Sequence, residues 1–193
     1  MDFIIRNGRI DDADFLAVTV MEAVGEELID GLAGTPEKLP KVHELFRRLA
    51  ARSDSQYSYK NALIAVSDDN KPIGAIIGYD GANLKMLRKA FISEANDLLE
   101  WNMTPEEEAQ MKDEASPDEA YLDSLYVIPS CRGNGIATAL FRAAFEKFGN
   151  IGKPFGLLVE PSNERAKRLY EQLGFKDVRI SDFFGTPMIH MQK

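Results

Sequence analysis

The stretch Leu125-Tyr-Val-Ile-Pro-Ser-Cys-Arg-Gly-Asn-Gly-Ile-Ala-Thr-Ala-Leu140 joins an apolar strand to a helix through a turn rich in glycine. Gly133 and Gly135 permit backbone dihedrals and close approaches that a Cβ would forbid. The first turn of the following helix leaves its N–H groups without intrahelical partners, and the helix dipole adds partial positive charge there. Such a turn favours an anion, and we expect a phosphate or pyrophosphate to bind at it.

Three kinds of phosphate site begin with such a turn. A nucleotide P-loop closes its glycine turn with a Lys-Ser/Thr pair, and no such pair follows Gly135. A dinucleotide fingerprint has a third glycine where this chain has Thr138, although Glu160, at the end of a later strand, could replace the ribose-binding acid. Only one strand–helix pair and a short tail follow the turn, whereas a dinucleotide domain has several more βα units there, which weakens this interpretation without excluding it. The third kind, a loop for the pyrophosphate of coenzyme A, is therefore favoured.

The turn resembles the loop of the GCN5-related N-acetyltransferase (GNAT) superfamily, whose pattern is Q/R-x-x-G-x-G/A. The segment Arg132-Gly-Asn-Gly135-Ile-Ala137 satisfies every specified position, and a register that starts at Ser130 keeps both glycines but lacks the Gln or Arg. A second family signature follows after one helix and one strand: Asn163-Glu-Arg-Ala166-Lys-Arg-Leu169-Tyr170-Glu-Gln-Leu-Gly174-Phe175. The two motifs in this order are more specific than either alone. The resemblance covers about residues 1–80 and 119–193.

The resemblance implies an α/β (α+β mixed) fold, in which helices flank a central, mostly antiparallel mixed sheet. It implies a single domain over residues 1–193, with a helical insertion at about 81–118 between strands 3 and 4. The sequence patterns agree with this order. They predict strands at 3–7, 62–66, 73–79, 120–128 and 155–160, and one or two more in the tail that contains residues 188–191. They predict helices from Asp11 to about Ile29, over 35–52, over 83–101, from Thr104, and over 135–148 and 163–173.

By resemblance, acetyl-coenzyme A lies between the diverging ends of the strands at 120–128 and 155–160. Its pantetheine arm would pair with backbone near Leu125 and Val127, and its pyrophosphate would bind amides of the glycine turn. The expected cofactor-binding residues are Leu125, Tyr126, Val127, Arg132, Gly133, Asn134, Gly135, Ile136, Ala137, Asn163, Ala166 and Tyr170. Asn163 also suits a plain helix N-cap, which needs no further role.

Tyr170 is the first catalytic candidate. Its spacing from Ala166, Leu169 and Leu173 is that of a helical stripe, which by itself is typical of a core tyrosine. The resemblance implies instead that its hydroxyl points toward the coenzyme A sulfur and protonates the departing thiolate. A phenol is protonated at neutral pH and can serve as such an acid.

The general base is harder to assign, because acylation requires a neutral amine and a group that accepts its proton. Many GNAT enzymes have a glutamate early in the strand before the loop, where this chain has Tyr121. Asp123 follows two residues later and, by strand alternation, would share a face with Tyr121, Leu125 and Val127. We take Asp123 as the first candidate, with Glu119 and Asp80 after it. A hydrogen bond within the strand is the competing role for Asp123.

Composition excludes several classes of protein. The net charge of −8 disfavours nucleic-acid binding, and no apolar run reaches the length of a membrane span. The lone Cys131 cannot form an internal disulfide, and the N-terminus lacks the pattern of a secretion signal, so we expect a cytoplasmic protein. His43 and His190 lack the spacing of metal ligands, and we expect no metal.

The predicted function is transfer of the acetyl group of acetyl-coenzyme A to a primary amine of a small molecule or peptide. The alternative is a degenerate family member that binds an acyl-coenzyme A as a sensor or scaffold without turnover, which Tyr121 at the usual acid position keeps open. Residues 81–118 could carry substrate specificity through their carboxylates, or cover the acceptor site or form a homodimer contact through their apolar residues. The sequence does not decide among these roles.

Overall fold

The structure is a computed structural model, which describes residues 1–183 and 185–193. Its strands are Phe3–Asn7 (β1), Ala62–Ser67 (β2), Pro72–Asp80 (β3), Ala120–Val127 (β4), Phe155–Val159 (β5), Lys176–Phe183 (β6) and Thr186–Gln192 (β7). Its α-helices are Ala13–Val24 (α1), Glu26–Ala33 (α2), Leu39–Ala51 (α3), Leu84–Leu99 (α4), Pro105–Gln110 (α5), Ile136–Phe148 (α6) and Glu164–Gln172 (α7). Among the described residues, no helix is long and apolar enough to cross a bilayer.

The strands form one sheet in the order β1-β2-β3-β4-β5-β7-β6. Neighbouring strands are antiparallel except β4 and β5, which are parallel. Buried apolar side chains of α1–α4 cover one face of the sheet, which we call the front, and those of α6 cover the back together with partly buried side chains of α7. The mixed, mostly antiparallel sheet with helices on both sides and two helices between β3 and β4 confirms the predicted fold.

The first predicted helix is wrong in one respect. The segment expected to run to about Ile29 is two helices, because Gly25 has a φ of +90° and ends α1. Few residues other than glycine adopt a positive φ of this size, so the glycine at position 25 determines where the helix breaks. A second helix, α2, then begins at Glu26 with Gly25 as its N-cap.

The helix that follows β3, α4, buries most of its apolar side chains in the core of the front face. Phe91, Ile92 and Leu99 of α4 are buried in the cluster of apolar side chains on the front face. Most of the apolar residues between β3 and β4 belong to this cluster or pack against it. Thr104 caps α5 in a reciprocal capping box with Glu107. The carboxylate-rich first turn of α5 is mostly exposed to solvent.

β4 contains an irregularity at its centre. Ile77 of β3 faces Ser124 and Gly78 faces Leu122, so Asp123 is an extra residue with no partner on β3. This β-bulge interrupts the alternation of side chains along β4. Tyr121 therefore packs on the front, whereas Leu125 and Val127 pack on the back with α6. The expectation that Tyr121, Asp123, Leu125 and Val127 share one face is wrong for this reason.

Candidate active site

A cleft opens where β4 and β5 separate. The two strands pair only at Ala120 with Phe155 and at Tyr121 with Gly156, and beyond these pairs their main chains diverge. The cleft has a volume of about 690 Å³. The glycine turn, the start of α6, α7 and the junction between α1 and α2 surround it.

The glycine turn is shaped by its backbone dihedrals. Gly133 has a φ of +82° and Gly135 a φ of +78°, both in the left-handed region that glycine adopts without strain. A Cβ at either position would meet no atom within 4 Å, so the turn needs glycine for its dihedrals and leaves open space above it. Asn134 braces the turn from behind, because its Nδ2 donates to the carbonyls of Cys131 and Arg132.

The start of α6 offers unpaired N–H groups to the cleft. Gly135 is the N-cap residue, and it has no side chain to accept a hydrogen bond from the first turn. The first turn carries no acidic residue, so the positive end of the helix dipole is not compensated there. Gly133, Gly135, Ile136 and Ala137 all border the cleft. This part of the cleft can bind an anion through the main chain alone.

One edge of β4 is also available to a ligand. The N–H of Ile128 donates to the carbonyl of Ile73 across β3, so by alternation the N–H and C=O groups of Leu125 and Val127 point to the opposite edge, toward the gap. The carbonyl of Val127 already accepts a hydrogen bond of 2.9 Å from Nε of Arg132. The guanidinium of Arg132 also lies 5.9 Å from the ring centroid of Tyr126. These contacts hold Arg132 at the cleft.

The opposite wall comes from α7. Asn163 caps this helix, with its side-chain oxygen accepting from the N–H of Ala166 at 3.1 Å. Tyr170 lies on the same helix and borders the cleft, while its ring packs against Phe141 and Phe175. Burial raises the pKa of Tyr170 to about 12. The phenol is therefore protonated throughout the physiological range.

Asp123, on the bulge of β4, also borders the cleft. Its Oδ2 accepts from the hydroxyl of Tyr79 at 2.9 Å, and its Oδ1 accepts from the hydroxyl of Ser124 at 2.8 Å. Burial and the nearby carboxylate of Glu114 raise the pKa of Asp123 from 3.8 to about 7, against the lowering effect of the two hydroxyl donors and of Arg88. A carboxylate with a pKa near neutrality can both accept and release a proton at physiological pH.

Glu119 does not reach the cleft. Its side chain is 0% exposed, its Oε2 lies 2.8 Å from both Nε2 of His190 and Nε2 of Gln192, and its Oε1 accepts from the N–H of Ser116. Burial alone would raise the pKa of Glu119, but these hydrogen bonds outweigh it and hold the pKa below its usual value. Glu119 thus ties β7 to the start of β4. Asp80 is also engaged elsewhere, in an ion pair with Lys153.

Most of the predicted site residues come together. Those that border the cleft are Asp123, Leu125, Tyr126, Val127, Arg132, Gly133, Gly135, Ile136, Ala137, Asn163, Ala166 and Tyr170. Asn134 and Glu119 are not among its lining residues. Within residues 1–183 and 185–193, no three His, Cys, Asp or Glu side chains are grouped as metal ligands would be.

Sequence reasoning missed one wall completely. Residues 22–28, at the junction of α1 and α2, border the cleft and bring the exposed carboxylates of Glu22, Glu26 and Glu27 to it. Glu22 contributes, after burial, to a raised pKa of Tyr126. Gly25 is the sequence signal for this wall, because a glycine within a helical pattern can mark the end of a helix.

Comparisons with known proteins agree with this geometry. The chain matches the model of the acetyltransferase (GNAT) family over residues 35–175. Its structure is similar to an N-acetyltransferase from Staphylococcus aureus Mu50, with a TM-score of 0.76 and 25% identity over 98% of this chain and 100% of that one. It is also similar to a structure described as an acetyltransferase, with a TM-score of 0.74 and 26% identity over 98% of each chain.

A similarity to a curated protein is more local. Thialysine N-epsilon-acetyltransferase of Mus musculus is 38% identical over 63 residues, which are 32% of this chain and 37% of the mouse enzyme. The family model, by contrast, spans β2–β5 with the glycine turn and includes Tyr170 on α7. The chain therefore belongs to the GNAT acetyltransferase family, as the two sequence motifs predicted.

Proposed function

We propose that the chain transfers the acetyl group of acetyl-coenzyme A to a primary amine of a small molecule or peptide, by direct attack of the amine on the thioester. One observation carries this proposal: a single cleft has an anion-binding turn at one end and both a carboxylate with a pKa of about 7 and a protonated phenol on its walls. Family membership supports the same reaction.

The cofactor would enter along the open edge of β4. Its pyrophosphate would accept hydrogen bonds from the amides of Gly133 to Ala137, with Arg132 beside it. Its pantetheine amides would pair with main-chain groups of Leu125 and Val127. The carbonyl of Val127 is already bound to Arg132, so the N–H of Val127 and both main-chain groups of Leu125 remain for pairing. Asn163 and Ala166 would bound the arm on the side of α7.

Asp123 would act as the base. An alkylammonium group has a reference pKa of about 10.4, so the amine must lose a proton before it can attack. Asp123 accepts that proton, directly or through a water molecule, and its pKa of about 7 leaves it mostly ionised above neutral pH. The amine nitrogen then bonds to the thioester carbon. The resulting oxyanion would accept a hydrogen bond from a backbone N–H near Val127.

Tyr170 would stabilise the leaving sulfur. When the carbon–sulfur bond breaks, the attacking nitrogen gives up its second proton to solvent and the amide forms. The bonding electron pair goes to sulfur and gives the thiolate of coenzyme A, which finally takes a proton. A thiol has a reference pKa of about 8.5, so complete transfer from a phenol with a pKa of about 12 is uphill by about 5 kcal/mol. The hydroxyl therefore acts mainly as a hydrogen-bond donor to the developing thiolate, and solvent supplies the proton in the end.

The acceptor would be cationic before it reacts. Glu22, Glu26 and Glu27 at the cleft provide negative potential that attracts an ammonium group. The name of the mouse relative indicates acetylation of an ε-amine on a small amino acid, which is an acceptor of the proposed class. We further propose that residues 1–193 act as one domain in the cytoplasm, where the thiol of Cys131 stays reduced.

The test is turnover with a panel of primary amines. Acetyl-coenzyme A is mixed with polyamines, amino acids, aminoglycosides and peptides, release of the free thiol is recorded, and the acetylated product is identified by mass spectrometry. We expect at least one amine to be acetylated by the wild-type chain and much more slowly by Tyr170→Phe. Binding of coenzyme A without turnover across the panel would instead support a sensor or scaffold. Absence of coenzyme A binding by calorimetry would overturn both functions.

A further inference from the structure

Tyr79, in β3, lies outside every motif of the sequence, and its hydroxyl contacts the site at the bulge of β4. We infer that Tyr79 is a positioning residue for the proposed reaction: its hydroxyl fixes the Asp123 carboxylate at the cleft and favours its ionised form. The inference rests on the proposed function, in which Asp123 is the base. It assigns a role in that function to a tyrosine that does not itself border the cleft.

The bulge makes the contact. Tyr79 pairs with Tyr121 across β3 and β4, and in a regular ladder the residue opposite Ile77 would be position 123. The extra residue moves Ser124 into that place and leaves Asp123 without a partner on β3. Its carboxylate is thereby within 2.9 Å of the Tyr79 hydroxyl, with Ser124 donating to the other oxygen. Two donors on two oxygens restrict both the rotation and the tilt of the carboxylate.

Tyr79 is itself held rigidly. Its side chain is 3% exposed and packs with Tyr121, Leu84 of α4 and Ala115, and the two tyrosine rings lie 5.7 Å apart. Burial raises the pKa of Tyr79 well above its usual value. The phenol therefore stays protonated and donates to Asp123 at every pH at which the protein would work.

The charged groups around Asp123 act on its pKa in opposite directions. Glu114, from the segment before β4, raises the pKa of Asp123, and Arg88 of α4 lowers it. Arg88 and Glu114 form a buried ion pair, with Asp113 also bound to Arg88. The phenols of Tyr57 and Tyr121 also lie near Asp123, and burial raises the pKa of each well above its usual value. The hydroxyls of Tyr79 and Ser124 are the groups that donate hydrogen bonds directly to the Asp123 carboxylate, and both lower its pKa.

Tyr79→Phe removes the donor and keeps the ring, so we expect the pKa of Asp123 to rise by about one. The acid limb of the pH profile of kcat/KM should move to higher pH by the same amount. The value of kcat/KM should therefore fall about tenfold at pH 6 and hardly change at pH 9. Ser124→Ala removes the second donor and should move the limb in the same direction. Tyr121→Phe is the matched control, because it removes a buried hydroxyl from the same aromatic pair without touching Asp123.

A structural role for Tyr79 would lower activity by the same factor at every pH, and that result would overturn the inference. So would a shift in Tyr121→Phe as large as that in Tyr79→Phe. A titration of the Asp123 carboxyl carbon by ¹³C NMR, with Asp123→Asn identifying the signal, measures the pKa in the absence of substrate. An unshifted carboxyl pKa in Tyr79→Phe refutes the inference even if no acceptor amine is found, whereas a shifted one with no turnover on any amine refutes only the proposed reaction. If Tyr79→Phe does not fold, a fluorinated tyrosine at position 79 replaces it: its more acidic phenol is a stronger donor of nearly the same size, so the pKa of Asp123 should fall, and an unshifted pKa refutes the inference.

Discussion

Replacing Asp123 with asparagine should make the protein more stable while removing most of its activity. The pKa of Asp123 rises from 3.8 to about 7 on folding, chiefly through burial. A carboxyl whose folded pKa is raised destabilises the native state once it ionises, so stability falls as pH rises from about 4 to about 7. The full shift corresponds to about 4 kcal/mol. Because the carboxylate opens on the cleft, we expect about half of that, about 2 kcal/mol, from Asp123→Asn at pH 8.

The asparagine keeps the local hydrogen bonds. Its Oδ1 can accept from Tyr79, and its amide can donate to the hydroxyl of Ser124. Urea denaturation of wild type and Asp123→Asn at pH 8 and pH 5.5 measures the effect, and the gain should be about half as large at pH 5.5. For a chain of this size, 2 kcal/mol also corresponds to a rise in Tm of about 4–8 °C.

Glu119→Gln is the control, because it should change the free energy of unfolding in the opposite direction. The pKa of Glu119 is lowered in the folded state, so its ionised form stabilises the protein above its unfolded pKa, and this contribution is lost as pH falls through the folded pKa. Glu119→Gln should therefore destabilise the protein at pH 8. If Asp123→Asn is as stable as wild type or less so at both pH values, the Asp123 carboxylate does not bear the burial penalty that we assign to it, and the argument for it as a base poised near neutral pH fails.

Three further outcomes follow from other contacts. Tyr170→Phe keeps the packing on Phe141 and should lower kcat, measured by thiol release, by about a hundredfold. The Kd for acetyl-coenzyme A, measured by calorimetry, should not change, and an unchanged kcat would contradict the role of the hydroxyl. Gly135→Ala forces a Cβ into a φ of +78°, at a cost of about 1–2 kcal/mol, and should weaken coenzyme A binding about tenfold in the same calorimetric titration. Gly156→Ala should lower the free energy of unfolding by about 3 kcal/mol or more, because its Cβ would overlap the carboxylate of Glu119; urea denaturation checks this.

The features that the sequence predicted are local ones. The dihedrals of Gly133 and Gly135, the exposed amides at the start of α6 and the capping of α7 by Asn163 depend on residues a few positions apart. Their signals are turn and cap residues, which act within one turn of chain. The fold then followed from the order of these local elements and from the family resemblance.

The features that it missed depend on partners far along the chain. Glu119 is buried because His190 and Gln192, 71 and 73 residues later, surround its carboxylate. The bulge at Asp123 exists only in the pairing of β4 with β3. The sequence of β4 taken alone predicts regular alternation of side chains through Asp123. No residue propensity identifies Asp123 as the extra residue of a bulge.

The bulge does more than move one carboxylate. The first half of β4 turns Tyr121 to the front of the sheet, and the second half turns Leu125 and Val127 to the back against α6. A regular strand would keep odd-numbered residues on one face throughout, so either Tyr121 or the pair Leu125 and Val127 would leave its cluster. The extra residue lies where pairing with β5 stops. The same insertion therefore keeps both clusters intact, brings Asp123 within reach of Tyr79 and sets it at the mouth of the gap, so removing one residue from β4 would harm fold and chemistry together.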